Sequence, residues 1–156
     1  MKLKIRKAKS SDFKKIKEIY FYAGIDEIKT QYPKKPKKKI IENVKEYSKE
    51  IFKEFDKKIN SKKNYWIIAE IEKELVGFAN VQTFKKYGWL DRNYIKKEFR
   101  GKGIGKRLTE KRMKWLRKNK IKEIYAKVFI ENKPSLNNLK NFGFEPIEYI
   151  MEKKLK

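Results

Sequence analysis

Phe99-Arg100-Gly101-Lys102-Gly103-Ile104-Gly105-Lys106-Arg107-Leu108 is the stretch on which the fold turns. Three glycines alternate with other residues, and an apolar periodicity begins inside the run. Glycine carries no Cβ, so backbone built from it can approach a ligand closely. Upstream, Gly88–Ile95 reads as a strand; downstream, Ile104, Leu108, Trp115 and Leu116 mark a helix to about Lys118. A strand, a glycine turn and a helix start collect unpaired N–H groups and the positive helix end at one point, which suits a diphosphate. Lys102, Lys106 and Arg107 add positive charge. A tight structural turn would use the same glycines, so the turn alone leaves both readings open. Its spacing lacks the Gly-Lys-Ser/Thr ending of a nucleotide-triphosphatase loop. It also follows the fourth predicted strand, whereas a dinucleotide fold carries its glycines after the first.

Outward from this stretch, Lys2–Lys7 alternates Leu3 and Ile5 with basic residues, as a short half-buried strand does. Ser10 can cap a helix carrying Phe13, Ile16, Ile19, Tyr20 and Ala23, with Gly24 expected to interrupt it. The prolines of Tyr32–Lys39 predict a basic loop, and Ile40, Val44, Tyr47, Ile51 and Phe55 predict a second helix ending at Asn60-Ser61. Tyr65–Ile71 and Leu75–Phe84 form a hairpin around Glu72-Lys73-Glu74. Beyond the central helix come a strand at Ile121–Ile130, a short helix at Pro134–Asn141, and a last strand from Gly143-Phe144 through Ile150 to Leu155. The order β, α, α, βββ, α, β, α, β gives an α+β fold, antiparallel in its N-terminal part and βαβ-like at its C-terminal end. A single domain, 1–156, is expected.

Of the 156 residues 39% are apolar and 14% aromatic, enough for a core despite 41% charged residues. Cysteine and histidine are absent, which removes disulfides, thiolate nucleophiles, Cys/His zinc sites and an imidazole base. No metal is expected, and acid-base chemistry falls to carboxylate, tyrosine, lysine, substrate or water. No apolar run of membrane-spanning length appears, so a soluble, cytoplasmic protein with no membrane partner is expected. The net charge of +24 attracts polyanions, and RNA or ribosome association is one reading of it. The other is a general lysine-rich surface, since lysine is spread over every segment.

The glycine stretch closely resembles the acetyl-CoA pyrophosphate motif of the GNAT N-acetyltransferase superfamily, whose centre is Arg/Gln-x-x-Gly-x-Gly/Ala. Ile5-Arg6-Lys7-Ala8 with Ser11-Asp12 resembles that family's opening strand and helix, Leu75-Val76-Gly77-Phe78-Ala79 its third strand, and Asn132 with Phe142-Gly143-Phe144 its second cofactor segment. The resemblance implies a GNAT fold: a mixed central sheet of about six to seven strands flanked by about four helices. It implies acetyl-CoA as cosubstrate and an amine acceptor, with transfer by direct attack in a ternary complex. Arg100, Gly101, Lys102, Gly103, Ile104, Gly105 and Lys106 would hold the pyrophosphate. Asn93, Tyr94 and Ile95, at the strand end where family members usually splay a bulge, would meet pantetheine and offer an N–H to the thioester oxygen, and Asn132 would bond the cofactor or simply cap the following helix.

One departure bears on mechanism. Where many members carry a tyrosine general acid, this chain has Leu139. Tyr94 and Tyr125 are the replacement candidates, beside water or simple thiolate release. Asp91, the only carboxylate on Gly88–Ile95, is the candidate base, with Glu70 next; an ion pair with a basic neighbour is the plainer reading of Asp91. The alternative to an enzyme is a nucleic-acid- or ribosome-associated module that keeps the fold with weak or no catalysis. The acceptor, a protein N-terminus or lysine or a small-molecule amine, carries no motif: a protein N-terminus, a neutral or acidic small amine, or an anionic metabolite fits the charge better than a polyamine, unless the pocket is locally acidic. Monomer and homodimer both remain open.

Overall fold

The computed structural model describes residues 2–53, 55–151 and 153. The alternating opening segment forms β1 (Leu3–Lys7), antiparallel to β2 (Asn64–Ile71), with Leu3 opposite Ile71 and Lys7 opposite Ile67. β2 turns into β3 (Glu74–Thr83), and β3 pairs antiparallel with β4 (Tyr87–Ile95). β5 (Glu123–Ala126) joins β4 in parallel, so the order across the sheet follows the chain, β1-β2-β3-β4-β5. That one parallel pair requires a crossover, and the helix after the glycine turn supplies it.

The middle strands are apolar almost throughout because both faces are covered. On one face α1 (Phe13–Gln31), α2 (Lys37–Phe52) and α3 (Phe55–Asn60) bury Ile16, Ile19, Val44, Phe52 and Ile59 against Trp66, Ile68 and Phe78. On the other, α4 (Ile104–Lys118) sets Ile104 and Leu108 against Ile67, Ala69, Val76 and Ala79, and Met113 and Leu116 against Val81 and Leu90. α5 (Lys133–Lys140) follows β5, and Leu139, Phe142 and Phe144 pack at the edge of this second face. Among the described residues, no helix is long and apolar enough to cross a membrane.

Several boundaries differ from the sequence reading. Gly24 does not interrupt α1; it is buried there, and a Cβ would stand 3.3 Å from Val44 Cγ1, so the glycine lets α1 and α2 approach. The second helix is divided, because Lys53 leaves helical geometry at ψ 128° before α3 begins. The sheet has five strands among the described residues, not six to seven, beside five α-helices rather than four. The strand expected at Ile121–Ile130 is cut to four residues, since β4 bends away after the Leu90–Ala126 pair. Residues 144–151 form no ladder: β5 offers four residues of edge, and Ile147, Tyr149, Ile150 and Met151 remain largely exposed. The continuation of that expected strand through Leu155 falls largely outside the described residues.

Candidate active site

β4 delivers the chain to the turn through a single 3-10 turn, Lys97–Phe99. Gly101 and Gly103 then take positive φ, 77° and 73°, and nothing lies within 4 Å of where a Cβ would be on either. Gly103 is the N-cap of α4, and among the described residues no backbone N–H from Gly101 to Lys106 donates to a protein acceptor. The result is a nest of free N–H groups at the positive end of a 15-residue helix, open to solvent. Ile104 anchors the turn by burying its side chain in the core, whereas Lys102 and Lys106 stay exposed, the former over the Phe99 ring. Arg100 bends back instead, Nε donating to the Ile95 carbonyl at 3.0 Å, and so ties the turn to the end of β4.

The register of β4 shifts by one residue beside the turn. Leu90 faces Val81, yet Arg92 faces Asn80, so Asp91 is the extra residue of a β-bulge. From Arg92 onward the pairing is regular, and Lys96 N–H donates to the Val76 carbonyl on β3. Alternation then directs the N–H groups of Arg92 and Tyr94 toward β3 and those of Asn93 and Ile95 away from it, into the gap left where β5 has ended. The Ile95 carbonyl that receives Arg100 points the same way. Asn93 also aims its side chain at the turn: its Nδ2 is 3.8 Å from the Cβ position of Gly105, and its buried Oδ1 has no partner among the described residues.

Asp91 Oδ2 accepts from Asn80 Nδ2 at 3.2 Å and from the Arg92 guanidinium, so the ion pair expected from sequence is present. Arg92 in turn lies over the Tyr20 ring. Tyr94 packs among Tyr20 and Phe78 and donates its hydroxyl to Glu27 Oε2 at 2.9 Å. Burial, seconded by the Glu27 charge, pushes the Tyr94 phenol well above its usual pKa. Two cavities flank this cluster. The larger, about 950 Å³, lies between α1 and α2 and is lined by Glu27, Tyr94, Phe129 and the lysines 34, 35 and 39. The smaller, about 430 Å³, is lined by Glu50, Asp91 and Arg92 together with Trp66, Phe84, Tyr87 and Trp89, and the indole N–H of buried Trp66 has no partner there.

The remaining sequence candidates lie elsewhere. Glu70 is on β2, with β3 between it and β4, and both its oxygens accept from Arg6 at 3.0 and 2.7 Å. Asn132 caps α5, its Oδ1 accepting from Ser135 N–H at 3.2 Å. Tyr125 is half-buried on β5 and donates to Glu123, whose charge raises its pKa. Leu139 packs beside Val81 and Leu90.

Sequence reasoning missed Glu27, Asn80, Thr109 and Arg112. Arg112 is fully buried on α4: its NH1 donates to the carbonyls of Arg92 (3.1 Å) and Asn80 (3.4 Å), and its NH2 to Thr109 Oγ1 (3.0 Å). Burial lowers its pKa to about 10, opposed by Asp91, which leaves it charged at neutral pH. The signal was present, because Arg112 falls between Leu108 and Leu116 on the apolar stripe of its helix, where a cation is out of place.

The sequence profile of the acetyltransferase (GNAT) family matches residues 25–144. Two curated proteins are similar: a probable spermine N(1)-acetyltransferase of Bacillus subtilis subsp. natto, 35% identical over 83 residues, and the spermine/spermidine N(1)-acetyltransferase of Bacillus subtilis, 34% identical over 83 residues. Each match covers 47% of this chain and 55% of the relative, so the chain spans about half the length of the curated relatives it matches. Among solved structures, PaiA N-acetyltransferase from Thermoplasma acidophilum in complex with coenzyme A superposes at TM-score 0.76 with 22% identity, covering 93% of this chain and 91% of that one. A putative acetyl transferase from Pyrococcus furiosus gives 0.74 and 23%, over 99% and 100% of the two chains. At such identities the fold is what is shared.

Proposed function

The chain belongs to the acetyltransferase (GNAT) family, and from that premise we propose that it transfers the acetyl group of acetyl-CoA to an amine. The observation that carries this reading is the run of unpaired N–H groups from Gly101 to Lys106 at the start of α4. Acetyl-CoA fits these residues. The open nest and the neighbouring lysines suit its diphosphate, and the outward N–H and C=O groups of Asn93 and Ile95 suit the amides of a pantetheine arm. Bound there, it supplies an acetyl thioester whose C–S bond breaks as the acceptor nitrogen forms an amide.

The protein's part is binding, orientation and proton handling. Asn93 N–H, aimed into the gap beyond β5, donates to the thioester oxygen; one such donor contributes about 3 kcal/mol to lowering the barrier. Asp91 faces the smaller cavity and takes the proton that an ammonium must lose before its nitrogen can attack, directly or through water. Tyr94 holds its proton too tightly to be a good acid and serves as the tie between β4 and Glu27, so the departing sulfur is protonated from water.

The acceptor enters the smaller cavity. The carboxylates of Glu50 and Asp91 are balanced there by Lys58 and Arg92, and the exposed or half-buried rings of Phe84, Tyr87 and Trp89 are what suit a positively charged amine. The curated relatives are named for spermine and spermidine, and these head the acceptor screen.

Calorimetry with coenzyme A on the wild type, G103V and G105V tests the cofactor site. The valines add bulk to the nest, and at Gly103 they also strain a positive φ, so affinity should fall by about tenfold or more. Equal affinity in all three proteins would remove the site assignment. Release of free thiol on adding spermidine, but not an acidic amine, supports the acceptor reading; the reverse preference defeats it.

A further inference from the structure

Arg112 is a buried cation that no part of the proposed transfer uses directly, yet its hydrogen bonds end on the bulge. Arg92 and Asn93 are joined by a trans peptide, since the described chain has no cis bond. Its carbonyl points toward β3, where Arg112 NH1 meets it at 3.1 Å, and its N–H, carried by Asn93, points the opposite way into the gap. Guanidinium and outward N–H therefore stand at opposite ends of one peptide group. A charge-assisted hydrogen bond to an amide oxygen draws electron density along the amide and makes its N–H a stronger donor, an effect that low local dielectric sustains.

We propose that Arg112 is a positioning residue for acetyl transfer, polarising the Arg92–Asn93 peptide from behind so that Asn93 N–H becomes a stronger donor to the thioester oxygen. This rests on the acetyl-CoA reading above. The surroundings fit a function beyond packing. Thr109 Oγ1 accepts from Arg112 NH2 and from Asn138 Nδ2 at 2.9 Å, which fixes the guanidinium between α4 and α5. Arg112 Nε and Asn80 Oδ1 are left buried without partners among the described residues, so the network is not an optimum for stability. Both hydrogen bonds of its NH1 end on backbone carbonyls of the bulge, so the charge acts on the peptide it faces.

The test is isotope-edited infrared spectroscopy of bound acetyl-CoA labelled at the acetyl carbonyl, with calorimetry and turnover on the same proteins. In the wild type the thioester carbonyl stretch should move to lower frequency than in free acetyl-CoA. In R112M a measurable part of that displacement should be lost while coenzyme A affinity stays near wild type, because the diphosphate nest is untouched. Turnover number should fall by about twofold to fivefold, with little change in KM for acetyl-CoA. Replacement of Arg112 by citrulline, neutral and of the same shape, should act in the same direction and carries the measurement should R112M not fold. An unchanged carbonyl stretch in the neutral variants, whatever their turnover, overturns the proposal and leaves Arg112 as a structural pin of the bulge. A wild type that binds acetyl-CoA without any displacement overturns it too. Failure of the wild type to bind acetyl-CoA at all defeats the underlying site reading instead.

Discussion

Arg6 lies between two carboxylates, and that placement decides the fate of one sequence candidate. Its guanidinium forks onto Asp12 at 2.8 and 2.9 Å and grips Glu70 with its other edge, while Asp12 Oδ2 also accepts from Lys9 N–H. Glu70, attractive in sequence because it stands on a central strand, is thereby committed to joining β1 and β2 to the start of α1. The Arg6 hydrogen bonds hold Asp12 below its ordinary carboxylate pKa against the opposing effect of burial. A depressed folded-state pKa means that the unfolded chain binds the proton first. The stabilisation is therefore complete above the unfolded pKa of about 3.9 and is lost as pH falls through the folded value. D12N should lower the melting temperature at pH 7, and the gap to wild type should close below about pH 4. A gap that persists unchanged into acid would show that the charge is not what Asp12 contributes. Arg112 teaches the opposite lesson at this scale. Sequence reasoning singled out Glu70 and passed over Arg112, which only its helical position marked.

Elements were legible where periodicity was strong and turn chemistry ordinary. The glycine turn, α4 and the β2–β3 hairpin stand where spacing put them, because each is set by local sequence. The bulge was expected near Asn93–Ile95 from the family resemblance alone: nothing in Leu90-Asp91-Arg92 itself announces the extra residue, which is fixed by the pairing of β3 with β4 and by Arg112 beneath it. Gly24 misled for a related reason, since a glycine required by a neighbouring helix looks like one that ends its own. The strand expected after Phe144 shows the limit of alternation, which describes a strand only when a partner edge exists. The hairpin offers a test of local strain. Glu72 and Lys73 both carry positive φ, 51° and 67°, a turn that ordinarily takes Asn-Gly. Each such residue costs about 1 kcal/mol relative to one tolerant of the left-handed region. E72N/K73G should therefore stabilise the fold by about 1–2 kcal/mol, the gain reduced by the backbone freedom that glycine adds to the unfolded chain, in urea titration with an unchanged m-value. Equal or lower stability would mean that the Glu72 and Lys73 side chains contribute contacts that offset the strain.

Charge belongs to the whole molecule, and here it is unevenly distributed. The chain carries 44 basic and 20 acidic residues, yet the smaller cavity balances Glu50 and Asp91 against Lys58 and Arg92, while three lysines outnumber Glu27 on the larger one. Composition could fix the sum but not this division, because Glu50 on α2 and Asp91 on β4 line one cavity only in the folded chain. The same division separates two kinds of anion binding. A surface of dispersed lysines holds a nucleic acid through counterion release, so a footprint of six or more phosphates should lose about a thousandfold in affinity between about 50 and 200 mM salt. Coenzyme A offers few phosphates to a nest of backbone N–H groups whose geometry salt does not alter, and its affinity should fall by less than about tenfold over the same interval. Filter binding of a single-stranded RNA and calorimetry of coenzyme A across that salt range compare the two directly. RNA held with undiminished affinity at the higher salt would mean that a built nucleic-acid site exists, and would move the excess charge from solvation to function.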